Sequence, residues 1–137
     1  MVPSDVKVNV QDYNNPYCSK KGYSQGTSEY YQDIANSWIE PYNFTDGTYY
    51  PGMPAEMFTA LVLAGNSTNY DGSSGYGDPA EVQDAVVKIK SVYGAGNAGY
   101  WRSYNDYLAT PQYAISDAIE NGQAQAVQSQ HQMLGGR

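Results

Sequence analysis

The stretch Y-W-R-S-Y-N-D-Y-L-A-T-P-Q-Y-A-I-S-D-A-I-E-N-G, residues 100–122, decides the fold prediction. Tyr100, Tyr104 and Tyr107 are spaced at i, i+4 and i+7, so they would share one face of a helix. Trp101 would lie on a second ridge beside them. A threonine–proline pair then breaks the pattern and a second helix follows, since proline is tolerated at a helix start but not inside a helix. The stretch therefore predicts two helices, and the tyrosine face of the first predicts a partner that offers polar groups.

Three earlier segments also have helical patterns. Ser28 can cap a helix that ends before Pro41. The segment P-A-E-M-F-T-A-L-V-L-A-G, residues 54–65, has proline in its first turn and predicts the most hydrophobic helix of the chain. In D-P-A-E, residues 78–81, an aspartate cap, a proline and a glutamate at the capping-box position begin a helix that keeps its period until Gly94. The sequence predicts an all-α fold, a four- to five-helix bundle with an extended N-terminal arm.

The length of the chain, 137 residues, predicts one domain with a single core. Residues 1–27 carry prolines and glycines among polar residues, and the V-K-V-N-V alternation at residues 6–10 fits a short strand. We therefore predict an N-terminal arm over residues 1–27 and a helical bundle domain over residues 28–137. The segment G-A-G-N-A-G, residues 94–99, is typical of a hinge between helices.

Tyrosine dominates the apolar composition, with 15 residues in a chain that is poor in Val, Ile, Leu and Phe. These rings could replace leucines in an ordinary core, or they could pack between copies of the protein; their number favours assembly. The net charge of −7 argues against a uniformly basic surface that coats nucleic acid. The cations that could still contact phosphates are Lys7, Lys20, Lys21, Lys88, Lys90 and Arg102.

No residue pattern in the sequence predicts catalysis. Cys18 and His131 are the only cysteine and the only histidine, so the sequence offers no Cys/His metal site and no disulfide within the chain. Neither G-Y-G-D-P, residues 75–79, nor G-A-G-N-A-G, residues 94–99, is a phosphate-binding loop. The sequence therefore predicts no enzyme, no cofactor and no metal site. Two triplets, N-F-T at 43–45 and N-S-T at 66–68, fit the glycosylation acceptor pattern, which chance alone can also produce in this composition.

One pattern resembles a known family. It consists of G-Y-G-D-P-A-E-V-Q-D-A-V-V-K-I-K-S-V-Y-G at residues 75–94, followed by the Y-x-x-Y-L-A-T-P-Q-Y-A-I-S-D-A-I stretch at 104–119. These segments resemble the C-terminal region of the major capsid proteins of rod-shaped and filamentous viruses of hyperthermophilic archaea. That family has a Gly-Pro helix start, a lysine and tyrosines down the helix, and a further helix that proline initiates.

The resemblance implies a four-helix bundle with an N-terminal extension that dimerises and stacks helically around double-stranded DNA in an A-like form. It implies a nucleocapsid location in the virion, a related second capsid protein as partner and, in the filamentous branch, a lipid envelope. Tyr100, Tyr104 and Tyr107 would then pack between subunits or present hydroxyls to DNA phosphates, and Trp101 would join them at the subunit interface. The family's DNA contacts do not map onto a shared motif here, so the six cations are candidates for facing the DNA. The acidic composition departs from the rod-shaped members, which are far more basic. The alternative function is an extracellular filament or surface-layer protein that holds no nucleic acid.

Overall fold

The computed structural model describes residues 6–15, 17–65 and 75–135, apart from the side chains of residues 130 and 133–135. In chain order the elements are β1 (Val8–Gln11), α1 (Ser28–Ile39), β2 (Tyr42–Asn43), β3 (Tyr49–Tyr50), a short 3₁₀ helix (Ala55–Met57), β4 (Phe58–Leu63), α2 (Pro79–Tyr93), β5 (Asn97–Trp101), α3 (Ser103–Tyr107) and α4 (Ala114–Gly135). Helices and strands alternate along the chain, which is the pattern of an α/β fold.

A parallel sheet organises the described part of the molecule. Its strands lie in the order β1-β4-β5, and β2 and β3 form a separate antiparallel pair. Val8 pairs with Phe58, and Thr59 pairs with Asn97, so the central strand β4 has a partner on each side. Helix α1 and the β2–β3 pair lie between β1 and β4 in the chain, while α2 connects β4 to β5. Neighbours in the sheet are therefore also consecutive parallel strands of the chain.

The hydrophobic core lies between one face of this sheet and the three long helices. Burial alternates along β4, so that Phe58, Ala60 and Val62 point into the core while the residues between them are half-buried. Gly122 allows α4 to approach α2 closely, because a Cβ there would lie 2.9 Å from the carbonyl oxygen of Gln83. The other buried residues of the core are Tyr30, Tyr31, Ile34, Ala35, Ala64, Val82, Ala85, Val86, Ile89, Ile115, Ala118 and Ile119.

The all-α prediction is wrong, and the segment at residues 54–65 shows why. It forms a short 3₁₀ turn and then strand β4 instead of a helix. Apolar residues occupy both faces of the pleat of this strand, although only one face is fully buried, so the run has no clear period in the sequence to separate it from a buried helix. The V-K-V-N-V alternation did predict β1 correctly. Strand β1 falls within residues 1–27, so this stretch contributes an edge strand to the sheet.

The prediction of a helix from residue 100 is also wrong. Residues 97–101 form strand β5, so the segment proposed as a hinge is partly sheet. Tyr100 packs against the core from this strand, whereas Tyr104 and Tyr107 lie on the short helix α3. The three tyrosines therefore do not share a helical face. The break before α4 was predicted correctly, because α4 begins at Ala114, shortly after the proline.

The local signals for α1 and α2 were read almost correctly. Helix α2 runs from Pro79 to Tyr93, with the Asp78 side chain as its N-cap and Gly94 in the left-handed conformation at its end, at φ +69°. The N-cap of α1 is Thr27, one residue earlier than predicted. Glu81 does not close a capping box; its Oε2 accepts a hydrogen bond of 2.7 Å from the backbone N–H of Ser28 and so joins the two helices.

Candidate functional site

The carboxyl ends of the three parallel strands meet at one edge of the sheet, where ligands bind most often in α/β folds. The residues after β1, β4 and β5 are held together there by backbone bonds. The N–H of Asp12 donates to the carbonyl of Leu61 at 2.9 Å, and the N–H of Ala64 donates to the carbonyl of Trp101 at 2.7 Å. The amide of Asn105 also donates to the Ala64 carbonyl at 3.1 Å. The edge is therefore a fixed framework for the side chains that it carries.

Exposed aromatic rings crowd one side of this edge. Trp101 is 58% exposed at the end of β5, and Tyr104 is 59% exposed on α3. Tyr107 and Tyr113 are also exposed, and their ring centroids lie 5.9 Å apart. We call these four residues the aromatic edge. Because large exposed rings gathered in one short segment are unusual on a free surface, they indicate a binding surface.

A buried carboxylate fixes the position of the aromatic edge. Asp106 on α3 is fully buried, and its oxygens accept bonds from the backbone N–H groups of Ile115 and Ser116 at 2.8 and 3.0 Å. The Ser116 hydroxyl donates to the same carboxylate at 2.6 Å and also bonds the Tyr100 hydroxyl at 2.8 Å. Asp106 thus caps the start of α4 and ties α3 to it, so the rings on this segment have a rigid support.

Arg102 adds a charge beside the aromatic edge. Its guanidinium carbon lies 5.8 Å from the centroid of the Tyr104 ring, and its Nε donates to the amide oxygen of Asn105 at 3.4 Å. These contacts restrain a flexible cation over an aromatic ring and leave its other N–H groups available. The edge therefore offers flat apolar rings together with hydrogen-bond donors.

Asp12 is another carboxylate at this edge, and it lacks the hydrogen bonds that Asp106 accepts. It is fully buried, and neither of its oxygens has a hydrogen-bond partner among the residues that the structure describes. Burial raises the pKa of Asp12 well above its ordinary value. The neighbouring ring of Tyr30 is also fully buried, and its hydroxyl donates to the Asn15 carbonyl at 2.8 Å. Burial and the nearby Asp12 raise the pKa of this hydroxyl.

The three lysines predicted near the N-terminus each have a different environment. The ammonium group of Lys7 donates to the Glu56 carbonyl at 2.6 Å, at the amino end of the sheet. Lys20 stacks on the ring of Tyr42, with its nitrogen 3.8 Å from the centroid. Lys21 is exposed and lies at the groove between α1 and α2.

The remaining cations do not extend these lysines into one surface. Lys88 forms an ion pair of 2.8 Å with Asp84 one turn earlier on α2. This pair raises the pKa of Lys88. Lys21 and Lys88 line one cavity of about 250 Å³ between α1 and α2. Lys90 is half-buried on α2, and Arg102 lies at the carboxyl edge, opposite to the end of the sheet that carries Lys7. DNA contact by these six residues stays a prediction.

The four residues predicted at a subunit interface are divided between two environments. Tyr100 is half-buried and bonded to Ser116, whereas Trp101, Tyr104 and Tyr107 are exposed. Intersubunit packing by them stays a prediction. Sequence reasoning missed Tyr113, Asp106 and Asp12, although Asp12 directly follows a short strand pattern. Recognition of that strand as part of a parallel sheet would have marked Asp12, since residues at carboxyl ends of such strands often line sites.

The described residues form neither a metal-binding cluster nor a membrane-spanning helix. No group of three or more His, Cys, Asp or Glu side chains in residues 6–15, 17–65 and 75–135 could hold a metal ion. Within the same ranges no helix has both the length and the apolar character that crossing a membrane requires. The triplet at 66–68 lies outside the described residues, while Asn43 of the other triplet is exposed on β2.

The chain matches no protein-family model and no curated protein. Among solved structures it is similar to the crystal structure of a family GH18 chitinase from Chromobacterium violaceum, with a TM-score of 0.66 and 17% identity. The match covers 85% of this chain and 34% of the chitinase chain, so this chain spans about a third of that protein's length. The likeness shows the fold alone, an α/β arrangement that an enzyme uses for part of its chain. The expectation of a chain that is not an enzyme gains no support from it.

Proposed function

We propose that the aromatic edge binds a chitin-type polysaccharide, a polymer of N-acetylglucosamine. The observation that carries this proposal is the cluster of exposed rings at the carboxyl ends of parallel strands, led by Trp101 and Tyr104. The fold match to a chitinase supports this class of ligand. Fold alone does not determine function, so the proposal depends on the chemistry of the edge.

That chemistry suits a sugar chain. A pyranose ring has an apolar face of C–H groups and a rim of hydroxyls, so it can stack on an aromatic ring while its rim meets hydrogen-bond donors. Trp101 supplies the largest flat surface, and Tyr104 and Tyr107 combine a ring with a hydroxyl. Arg102 and Asn105 supply donors next to them. Successive rings along one edge would contact successive units of a polymer, and each contact needs only modest strength.

The described residues support binding better than hydrolysis. Cleavage of a glycosidic bond requires a carboxylic acid that can protonate the leaving oxygen. Asp106 is fully buried and caps α4, and Asp12 is fully buried on the side of the sheet that faces the helices. Neither of these two carboxylates is open to a ligand on the aromatic edge. Asp78 is exposed, and its Oδ1 accepts the backbone N–H of Ala80 at 2.9 Å as the N-cap of α2. Catalysis by the chain is not part of the proposal.

Sedimentation of the protein with insoluble chitin, and titration with soluble N-acetylglucosamine oligomers followed by tryptophan fluorescence, would test the proposal. Trp101→Ala and Tyr104→Ala should each weaken binding about tenfold, which corresponds to about 1.4 kcal/mol. Trp38→Ala is the matched tryptophan control, because Trp38 is 40% exposed on α1. Tyr49→Ala is the tyrosine control, because Tyr49 is 60% exposed on the β2–β3 pair.

Cellulose, a glucose polymer without acetamido groups, separates the proposed ligand from polysaccharides in general. We expect it to bind more weakly than chitin. Equal loss of chitin binding in the Trp38 and Trp101 variants would contradict the assignment of the edge. Absence of binding to chitin and to its oligomers would end the proposal.

The nucleocapsid function is the second candidate, and it stays untested. The exposure of Trp101, Tyr104 and Tyr107 leaves them available for packing between subunits, as that function requires. The separation of the six cations favours it less, since a coat protein neutralises phosphates most effectively from one continuous surface. Electrophoresis of double-stranded DNA with the protein at low salt would test it. DNA retardation that Trp101→Ala leaves unchanged, together with no binding to chitin, would favour this candidate over the first.

A further inference from the structure

No element of the described residues covers the face of the parallel sheet that points away from the helices. Its side chains form rows across the strands, because Thr59 on the central strand pairs with Asn9 on one side and with Asn97 on the other, and Leu61 pairs with Gly99. The outer members of these rows are exposed apart from Gly99, which is half-buried like the residues on the central strand. The residues on this open face are Asn9, Gln11, Thr59, Leu61, Leu63, Asn97, Gly99 and Trp101. Parallel sheets are almost always covered on both faces, so an open one lacks part of its packing.

Both edges of the sheet are open as well. In the described ranges β4 lies between β1 and β5, and no strand pairs with the outer side of either one. Unpaired N–H and C=O groups along an edge can accept another strand, and natural proteins usually cover or close such edges. The two edges and the open face form one continuous surface around the sheet.

The winding of the chain limits what can cover this surface. The three strands of the parallel sheet lie side by side in the order in which they occur along the chain, and the long helices pack on the same side of the sheet. A sheet that is wound in one direction in this way has its helices on the outside, as in a barrel of eight parallel strands. The inner face of such a barrel is filled by side chains from the other strands. The match to about a third of a larger α/β protein agrees with this arrangement.

We propose that the open face and both sheet edges form an interface with a polypeptide of further parallel β/α units, which completes a closed barrel. About five such units would be needed, since barrels of this class have about eight strands. The partner would add one strand beside β1 and one beside β5. It would also place side chains against Leu61 and Leu63 inside the barrel. This interface depends on the sheet alone, so it stands whether or not the aromatic edge binds a sugar.

The test uses the free chain and a chimera in which this chain replaces the matching third of the Chromobacterium violaceum chitinase. Amide hydrogen exchange should be fast in β1 and β5 of the free chain and at least about tenfold slower in the chimera. Leu61→Glu should leave the fold of the free chain intact and abolish the cooperative unfolding of the chimera. Val92→Glu is the matched control, because Val92 is 71% exposed on α2, and it should be tolerated in both proteins.

Three results would overturn the proposal. A chimera that folds and tolerates Leu61→Glu would mean that the face is not covered by further β/α units. A free chain that forms a stoichiometric dimer, lost on Leu61→Glu, would make a second copy the occupant. A monomeric free chain in which β1 and β5 exchange as slowly as β4 would mean that the sheet needs no partner. If the chimera does not fold, a dimer of the free chain or slow exchange in its β1 and β5 would still overturn the proposal.

Discussion

The buried Asp12 predicts that the stability of this protein falls as the pH rises. Asp12 is fully buried, and its carboxyl oxygens have no hydrogen-bond partner among the described residues. A carboxylate in such a place is costly, so burial raises the pKa of Asp12 well above its ordinary value. The folded state therefore holds this proton more tightly than the unfolded chain does. The stabilisation is complete below the ordinary pKa of aspartate and is lost as the pH rises towards the raised pKa of the folded state.

Asp12→Asn isolates this effect, because the amide has the shape of the neutral carboxyl group and does not titrate. One proton can change the free energy of unfolding by at most about 1.4 kcal/mol per pH unit. As the pH rises, the free energy of unfolding of the variant should therefore increase relative to that of the natural chain. The increase is at most that amount for each pH unit between the pKa of Asp12 in the unfolded state and its pKa in the folded state. For a domain of this size, about 1.4 kcal/mol corresponds to a shift of about 4 to 6 °C in Tm. A constant offset between the two proteins is also expected, since the amide is buried too.

The measurement is the midpoint of urea unfolding, followed by circular dichroism, for both proteins between about pH 4 and pH 7. All other titrating groups are common to the two chains, so the difference curve reports Asp12 alone. Asp46→Asn provides a control of opposite sign, because hydrogen bonds from Thr48 lower the pKa of Asp46. That stabilisation exists above the ordinary pKa of aspartate and is lost as the pH falls, so the Asp46→Asn variant should be less stable than the natural chain at neutral pH. A difference curve for Asp12→Asn that stays flat with pH would refute the reasoning.

Two further predictions concern the elements that carry the site. Phe58→Ala should cost about 3 to 5 kcal/mol of unfolding free energy because Phe58 is fully buried, whereas Leu61→Ala should cost much less because Leu61 is half-buried on the open face. Similar losses for the two variants in chemical denaturation would contradict the placement of these side chains on opposite faces of β4. Asp106→Ala should cost about 2 to 4 kcal/mol, since it leaves the N–H of Ser116 and a neighbouring N–H without their acceptor. Asp117→Ala, on the exposed side of the same helix, is its control in thermal melts, and equal losses would show that Asp106 does not tie α3 to α4.

The sequence predicted the elements whose signals are local. The Asp-Pro start and glycine end of α2 depend on hydrogen bonds within a few residues, and both were identified correctly from Asp78 and Gly94. The start of α4 after Pro111 follows from the same kind of signal. Capping residues act on their own backbone, so they can be read without knowledge of the tertiary fold.

Strands β4 and β5 could not be predicted in this way, because their signals depend on neighbours that are distant in the sequence. The run F-T-A-L-V-L, residues 58–63, is apolar at every position except Thr59, and it forms the central strand β4, whose partners lie 50 residues earlier and about 40 residues later. Strand β5 includes Gly99 and ends at Trp101. Its last residues overlap the helical spacing of Tyr100, Tyr104 and Tyr107, so the sequence indicates a helix there instead of a strand. Because the carboxyl edge exists only once these strands pair, the candidate site could not be located before the sheet was known.

The tyrosines serve two purposes, and this division explains how a chain poor in aliphatic residues has both a core and an aromatic edge. Tyr30 and Tyr31 are fully buried, with ring centroids 5.8 Å apart in an edge-to-face arrangement, so they fill the core as larger aliphatic residues would. The Tyr30 hydroxyl meets the Asn15 carbonyl, which offsets the cost of burying it. Tyr104 and Tyr107 are instead exposed. Leucines in those two places would present apolar surface without a polar group, and the edge could then attract other proteins more readily than a hydrated ligand. An exposed face of tyrosine therefore favours a partner that is both flat and polar, and a sugar chain meets both conditions.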